Sequence, residues 1–144
     1  MLLNRQPKNA GFIFSVFQHD LSKGDNIDSH DRMLKYLISE SIPHKIVMGK
    51  YTHSNGTEVN ELSFYVETND KIDQHTLYDF VKTQCINANQ ESFLSLSSDR
   101  KANLILINGK SYGIGVFTSV SEVEAENAEA YTYCPKLESY YICK

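Results

Sequence analysis

The stretch "HKIVMGKYTHSNGTEVNELSFYVE", residues 44–67, decides how the rest of the chain is read. In its second half, Leu62, Phe64 and Val66 alternate with Glu61, Ser63, Tyr65 and Glu67, the period of a strand with one buried face. Asn55-Gly56 is a strong turn signal between flanks that alternate in this way. The stretch therefore predicts two antiparallel strands, 44–51 and 61–67. A two-residue turn pairs Tyr51 with Asn60 and Lys50 with Glu61, which sends Tyr51 and Glu61 to opposite faces. A one-residue bulge or a longer loop brings them together, and leaves Glu58 as an alternative to Glu61 if the register differs.

Working outward, "GFIFSVFQ" (11–18) reads as a buried strand, rich in β-branched and aromatic residues. "DSHDRMLKYLISES" (28–41) predicts a helix capped by Asp28, with Asp31 at N3, an apolar stripe of Met33, Leu34, Leu37 and Ile38, and a stop at Pro43. Downstream, a second helix is expected over 74–87, capped by Asp73, with Leu77, Phe80, Val81 and Cys85 at helical spacing. "SFLSLSS" and "ANLILIN" follow as strands joined by "SDRK", and a last strand runs through "GIGVFTSV". The tail, 119–144, is acidic and then tyrosine-rich, and its pattern assigns no structure.

The order β-α-β-β-α-β with extra C-terminal strands predicts an α+β, ferredoxin-like sandwich: one antiparallel sheet with two helices on one face. A single domain is expected over 1–144, with its core at about 11–118. The other sheet face would carry Glu61 and needs solvent, a ligand or another subunit. Apolar strand residues such as Val47, Tyr65 and Phe93 are expected to be buried by self-association.

The net charge of −4 argues against binding to a phosphate backbone as the main activity. The three cysteines, Cys85, Cys134 and Cys143, form no CxxC pair, which argues against a disulfide framework or a zinc site and for a reducing, cytoplasmic setting. No signal peptide and no run of membrane-spanning length are read in the chain, and the "NGT" sequon at 55–57 reads as a turn.

The usual parts of catalytic sites are missing from the sequence. No GxSxG elbow occurs, no cysteine has an evident His and acid partner, and "GIG" at 113–115 has no helix behind it to cradle phosphate. His19-Asp20 reads as a loop pair and His30-Asp31 as a pair in a first helical turn, both solvated, so no metal is expected. What stands out is a set of positions: Tyr51, Glu61, the polar clump Asn89-Gln90-Glu91-Ser92 between a helix and a strand, and Ser15 and Phe17 alternating on the first strand. Any reaction carried here has to need few catalytic parts.

In order along the chain, "SVFQ", "HDRML..L", "V.GKY", "NELSFYV", "NQESFL" and a glycine-bearing late strand resemble the phage enzymes that degrade S-adenosylmethionine (SAM), long called SAM hydrolases and now understood as SAM lyases. The resemblance spans about residues 11–118 and leaves the tail outside. It implies a ferredoxin-like homotrimer with sites between subunits, SAM as the small-molecule substrate, no cofactor, and neither nucleic acid nor membrane as partner. It further implies a bacteriophage protein at work in the host cytoplasm with an anti-restriction role. Carried over by motif, Tyr51 and Glu61 become the catalytic pair, Gln90 and Glu91 substrate-binding, and Ser15 and Phe17 further substrate contacts. The implied reaction cleaves SAM to 5′-methylthioadenosine and homoserine lactone. The competing reading is a non-catalytic ferredoxin-like module that binds a small molecule or inhibits a host protein.

Overall fold

The computed structural model describes residues 9–52 and 56–144. Its elements are β1 (Gly11–Phe14), α1 (Lys23–Ser39), β2 (His44–Thr52), β3 (Glu58–Glu67), α2 (Gln74–Asn87), β4 (Ser92–Leu96), β5 (Lys101–Leu106), β6 (Ser111–Val120), α3 (Glu122–Glu126), β7 (Ala130–Cys134) and β8 (Ser139–Cys143). Among the described residues, no helix is long and apolar enough to cross a membrane.

The two long helices follow from local chemistry. Asp73 caps α2 as expected, its Oδ1 accepting from the Thr76 amide at 2.8 Å, and Leu77, Val81 and Cys85 form the buried face. α1 begins earlier than its apolar stripe suggests. Ser22, not Asp28, is the cap, its Oγ accepting from the Asp25 amide at 3.1 Å. The added turn puts His30 and Asp31 in mid-helix rather than in the first turn, and His30 is buried. β1 stops at Phe14 because the Ser15 hydroxyl turns onto the backbone, donating to the Leu62 carbonyl at 2.9 Å and accepting from the Phe17 amide at 3.0 Å.

The sheet corrects the open sandwich. All eight strands close into an antiparallel barrel, ordered β1-β3-β2-β7-β8-β6-β5-β4, with β4 returning to β1. The arc β4-β1-β3-β2 carries the β-α-β-β-α-β connectivity, with α1 and α2 as its crossovers. The tail completes the ring: β7 pairs with β2, and β8 joins β7 to β6. Between them, α3 is capped by Ser121 and places Glu122 and Glu124 in its first turn, where the helix dipole favours negative charge.

Alternation along the strands then builds two cores. Phe12, Phe14, Phe64 and Val66 pack with Leu37, Leu77 and Val81 between the barrel wall and the long helices. Burying side chains of this size completely contributes roughly 1.5–3 kcal/mol each. Ile13, Val47, Leu96, Ala102 and Cys134 fill the barrel lumen, with Tyr65, Phe117 and Tyr141 packed against them. Val47 and Phe93 are thus buried within one chain, at 4% and 3% exposure, and self-association is not what covers them.

Candidate active site

The β2–β3 register settles which side chains meet. Thr52 pairs with Glu58 and Tyr51 with Val59, so five residues, 53–57, separate the last pair. A two-residue turn would have shifted this pairing by one and reversed every face. Asn55 lies outside the described residues, while Gly56 has the positive φ of +86° expected of a turn glycine. With Gly49 opposite Glu61 and Val47 opposite the buried Ser63, Tyr51 and Glu61 both lie on the lumen side. Glu58 lies on the outer side, where its carboxylate sits 3.6 Å from the Lys50 ammonium.

The Tyr51 hydroxyl donates to Glu61 Oε2 at 3.5 Å, the long limit of a hydrogen bond. Burial, then the charge of Glu61 and its hydrogen bond, and then the charge of Glu91 push the Tyr51 phenol above its ordinary pKa. It therefore stays protonated at neutral pH and acts as a donor. The effect of Glu91 on Tyr51 shows that this carboxylate, at the entry to β4, shares the same end of the barrel. Opposite Glu61, Gly49 has no side chain, and even an added Cβ would come no nearer than 3.9 Å to the Glu61 carbonyl oxygen. The barrel-side position beside the carboxylate is open.

The polar clump before β4 has a second task. Asn89, at φ +55°, is the left-handed residue that stops α2, and the Gln90 amide closes back on the Cys85 carbonyl at 2.9 Å. The Gln90 side-chain amide donates to the Phe17 carbonyl, and the Asn89 amide donates to Gln18 Oε1 at 3.0 Å. The hydroxyl of Ser15 is spent on the backbone, and the Phe17 ring meets His30 edge-on at 6.2 Å. The structure therefore gathers Tyr51, Glu61 and Glu91, whereas Ser15, Phe17 and Gln90 brace the wall behind them. Among the described residues, no group of three or more His, Cys, Asp or Glu side chains is placed to hold a metal ion.

Sequence reasoning missed His30 as a buried group. It is 4% exposed and stacks on Phe64 at 4.2 Å, and neither ring nitrogen has a hydrogen-bond partner among the described residues. Burial lowers its pKa, opposed by the Asp31 charge, so the ring is held neutral. The signal was present: starting α1 at Lys23 places Asn26, His30 and Leu37 on one buried face. Asn26 pins the β1–α1 loop from that face, its side chain accepting from the Gln18 amide at 2.8 Å and donating to the Gln18 carbonyl at 2.9 Å.

The model of the S-adenosylmethionine lyase family matches residues 12–144. The chain belongs to this family. It is accordingly an enzyme that degrades SAM. No curated protein matches it. The match runs past residue 118 through the tail, so the acidic and tyrosine-rich segment, expected to fall outside the resemblance, is part of the lyase. That agrees with its structural place, since β7 and β8 close the barrel.

Proposed function

We propose that this lyase cleaves SAM by intramolecular displacement at the barrel end that holds Tyr51, Glu61 and Glu91. The substrate's carboxylate oxygen attacks its own γ-carbon, and the γ-carbon–sulfur bond breaks with its electron pair moving to sulfur. The products are neutral 5′-methylthioadenosine and homoserine lactone, which keeps the α-ammonium. The enzyme's task is to fold a flexible chain into a near-attack geometry. Such pre-organisation lowers the barrier by about 7–11 kcal/mol in well-oriented intramolecular reactions.

The observation that carries this reading is the protonated Tyr51 phenol 3.5 Å from the Glu61 carboxylate, with Glu91 close enough to act on it. The sulfonium loses its charge in the reaction, so an anionic clamp on sulfur would favour the ground state over the transition state. The carboxylates serve better on the α-ammonium, while the Tyr51 hydroxyl steers the substrate carboxylate. Incubating the protein with SAM and separating the products tests this. Methylthioadenosine with homoserine lactone as first product is expected, at an unchanged rate in excess EDTA. Homoserine formed without passing through the lactone would mean that water is the nucleophile. Activity lost in EDTA and restored by a divalent ion would remove the metal-free scheme.

A homotrimer with sites between subunits is part of the proposal. It is supported by the wall that α1 and α2 leave uncovered, where Met48 and Val116 are 38% and 42% exposed. Tyr131 and Tyr133 pack on Tyr140 on the same wall, at ring distances of 5.6 and 4.6 Å. Apolar strand surface of this kind is normally covered by another chain. Light scattering at micromolar concentration should give three times the chain mass, and a monomer would exclude a site shared between subunits. The free cysteines, Cys85 and Cys134 both buried, fit the reducing cytoplasm as the place of action.

A further inference from the structure

The barrel has a second end, remote from Tyr51. Along β3, Glu61 and Tyr65 both face the lumen but stand roughly 13 Å apart, the rise of four strand residues. Around Tyr65 the lumen widens into a cavity of about 250 Å³, with Ile13, Val47, Leu96, Phe117, Cys134 and Tyr141 among its walls. Phe117 and Tyr141 stack there at 4.8 Å, forming one flat aromatic wall. Lys45, Glu67 and Arg100 are the charged groups of the lining.

Arg100 is unusual for its backbone. Its φ of +68° is left-handed, a conformation that turns normally assign to Gly, Asn or Asp. The β4–β5 turn holds it there, the Arg100 amide donating to the Ser97 carbonyl at 2.9 Å and the Lys101 amide to Ser97 Oγ at 3.0 Å. The guanidinium donates to the Tyr65 hydroxyl at 3.0 Å and lies 5.6 Å from the centre of that ring. The Lys45 ammonium stands 5.6 Å from the same ring, and the Tyr65 hydroxyl donates a hydrogen bond to Glu67 Oε2 at 2.8 Å. Burial, opposed by the Arg100 guanidinium and aided by Glu67, pushes the Tyr65 phenol up to about 12, so it remains a donor. Among the described residues, neither Arg100 nor Lys45 has a carboxylate within salt-bridge distance. Two half-buried cations and one carboxylate already engaged by Tyr65 thus border an apolar, aromatic-walled cavity.

We propose that this cavity binds a small organic monoanion with a flat apolar body, such as an aromatic monocarboxylate, its carboxylate held by Arg100 and Lys45. SAM is a poor occupant, because its sulfonium and ammonium would face two cations. The site is therefore separate from the one that cleaves SAM, and its test does not depend on turnover.

The test is titration of the full chain with benzoate, followed by calorimetry and by amide NMR shifts. Saturable binding is expected, with shifts centred on Leu96, Arg100, Phe117 and Tyr141. Benzamide, the same ring without the charge, should bind roughly tenfold to a hundredfold more weakly, the usual weight of a charge-assisted hydrogen bond. Arg100→Gln should weaken benzoate by a similar factor while leaving SAM cleavage unchanged. If that variant does not fold, Lys45→Gln and the benzamide comparison decide alone. No saturable response to benzoate, equal binding of benzamide, or shifts centred on Tyr51 and Glu61 would overturn the proposal and leave the Arg100–Tyr65–Glu67 chain as a structural clasp.

Discussion

Glu61→Gln should lower kcat/KM for SAM cleavage by roughly thirtyfold to a thousandfold while the chain folds normally. The substitution keeps the volume and removes the charge, on a half-buried strand position with no neighbouring side chain on Gly49 to repack. A pre-organised electrostatic contact of this kind is worth on the order of 2–4 kcal/mol in the transition state. At 1.36 kcal/mol per factor of ten, that is about thirtyfold to nearly a thousandfold in rate. Glu58→Gln is the matched control. Glu58 lies on the other face of the same strand, its side chain 61% exposed and paired with Lys50, so a rate within about twofold of wild type is expected, as for other exposed ion pairs. A silent Glu61→Gln beside an inactive Glu58→Gln would move the site to the outer face. Two fully active variants would remove this barrel end from the chemistry.

Gly115→Ala should cost about 2–4 kcal/mol of stability, because two penalties fall at the seam of the barrel. Gly115 has φ +106°, which L side chains rarely adopt, and an added Cβ would overlap the Lys144 carbonyl. The neighbouring Val116 exchanges both backbone hydrogen bonds with Lys144, at 2.8 and 3.0 Å, so moving Lys144 aside disturbs the β6–β8 closure itself. Gly109→Ala separates the two causes. Its φ is +98°, but an added Cβ would meet nothing within 4 Å, so only the backbone strain of about 1 kcal/mol applies. Urea midpoints at unchanged slope measure both. Equal losses in the two variants would mean that the seam at Lys144 contributes nothing.

Much of the secondary structure was legible in the sequence because it depends on neighbours. The alternation of 61–67 and the Asp73 cap with Leu77, Val81 and Cys85 are properties of a single element and appear where the pattern put them. The start of α1 was misplaced because "SKGDN" lacks apolar residues, although Ser22 and Asp25 carry a capping pattern. Tyr51, Glu61 and Glu91 were singled out in the sequence only through their motifs, since nothing in an isolated Glu distinguishes a candidate site from a solvated strand. Ser15, Phe17 and Gln90 were given roles that their hydrogen bonds now divide, because a side chain's partner across the fold leaves no trace in its own surroundings in the chain.

The sequence by itself determined the faces of the strands, the two crossover helices and the family to which the chain belongs. Only the tertiary structure decided that the β2–β3 register brings Tyr51 and Glu61 to one side, that the tyrosine-rich tail closes the sheet into a barrel, and that Arg100 reaches a cavity inside it. The reason is physical. Which side chains a strand buries is written in its own period of two, whereas the strand it pairs with is chosen through backbone amides and carbonyls that are the same in every residue. That choice becomes definite only when all eight strands compete at once for partners and the lumen has to be filled.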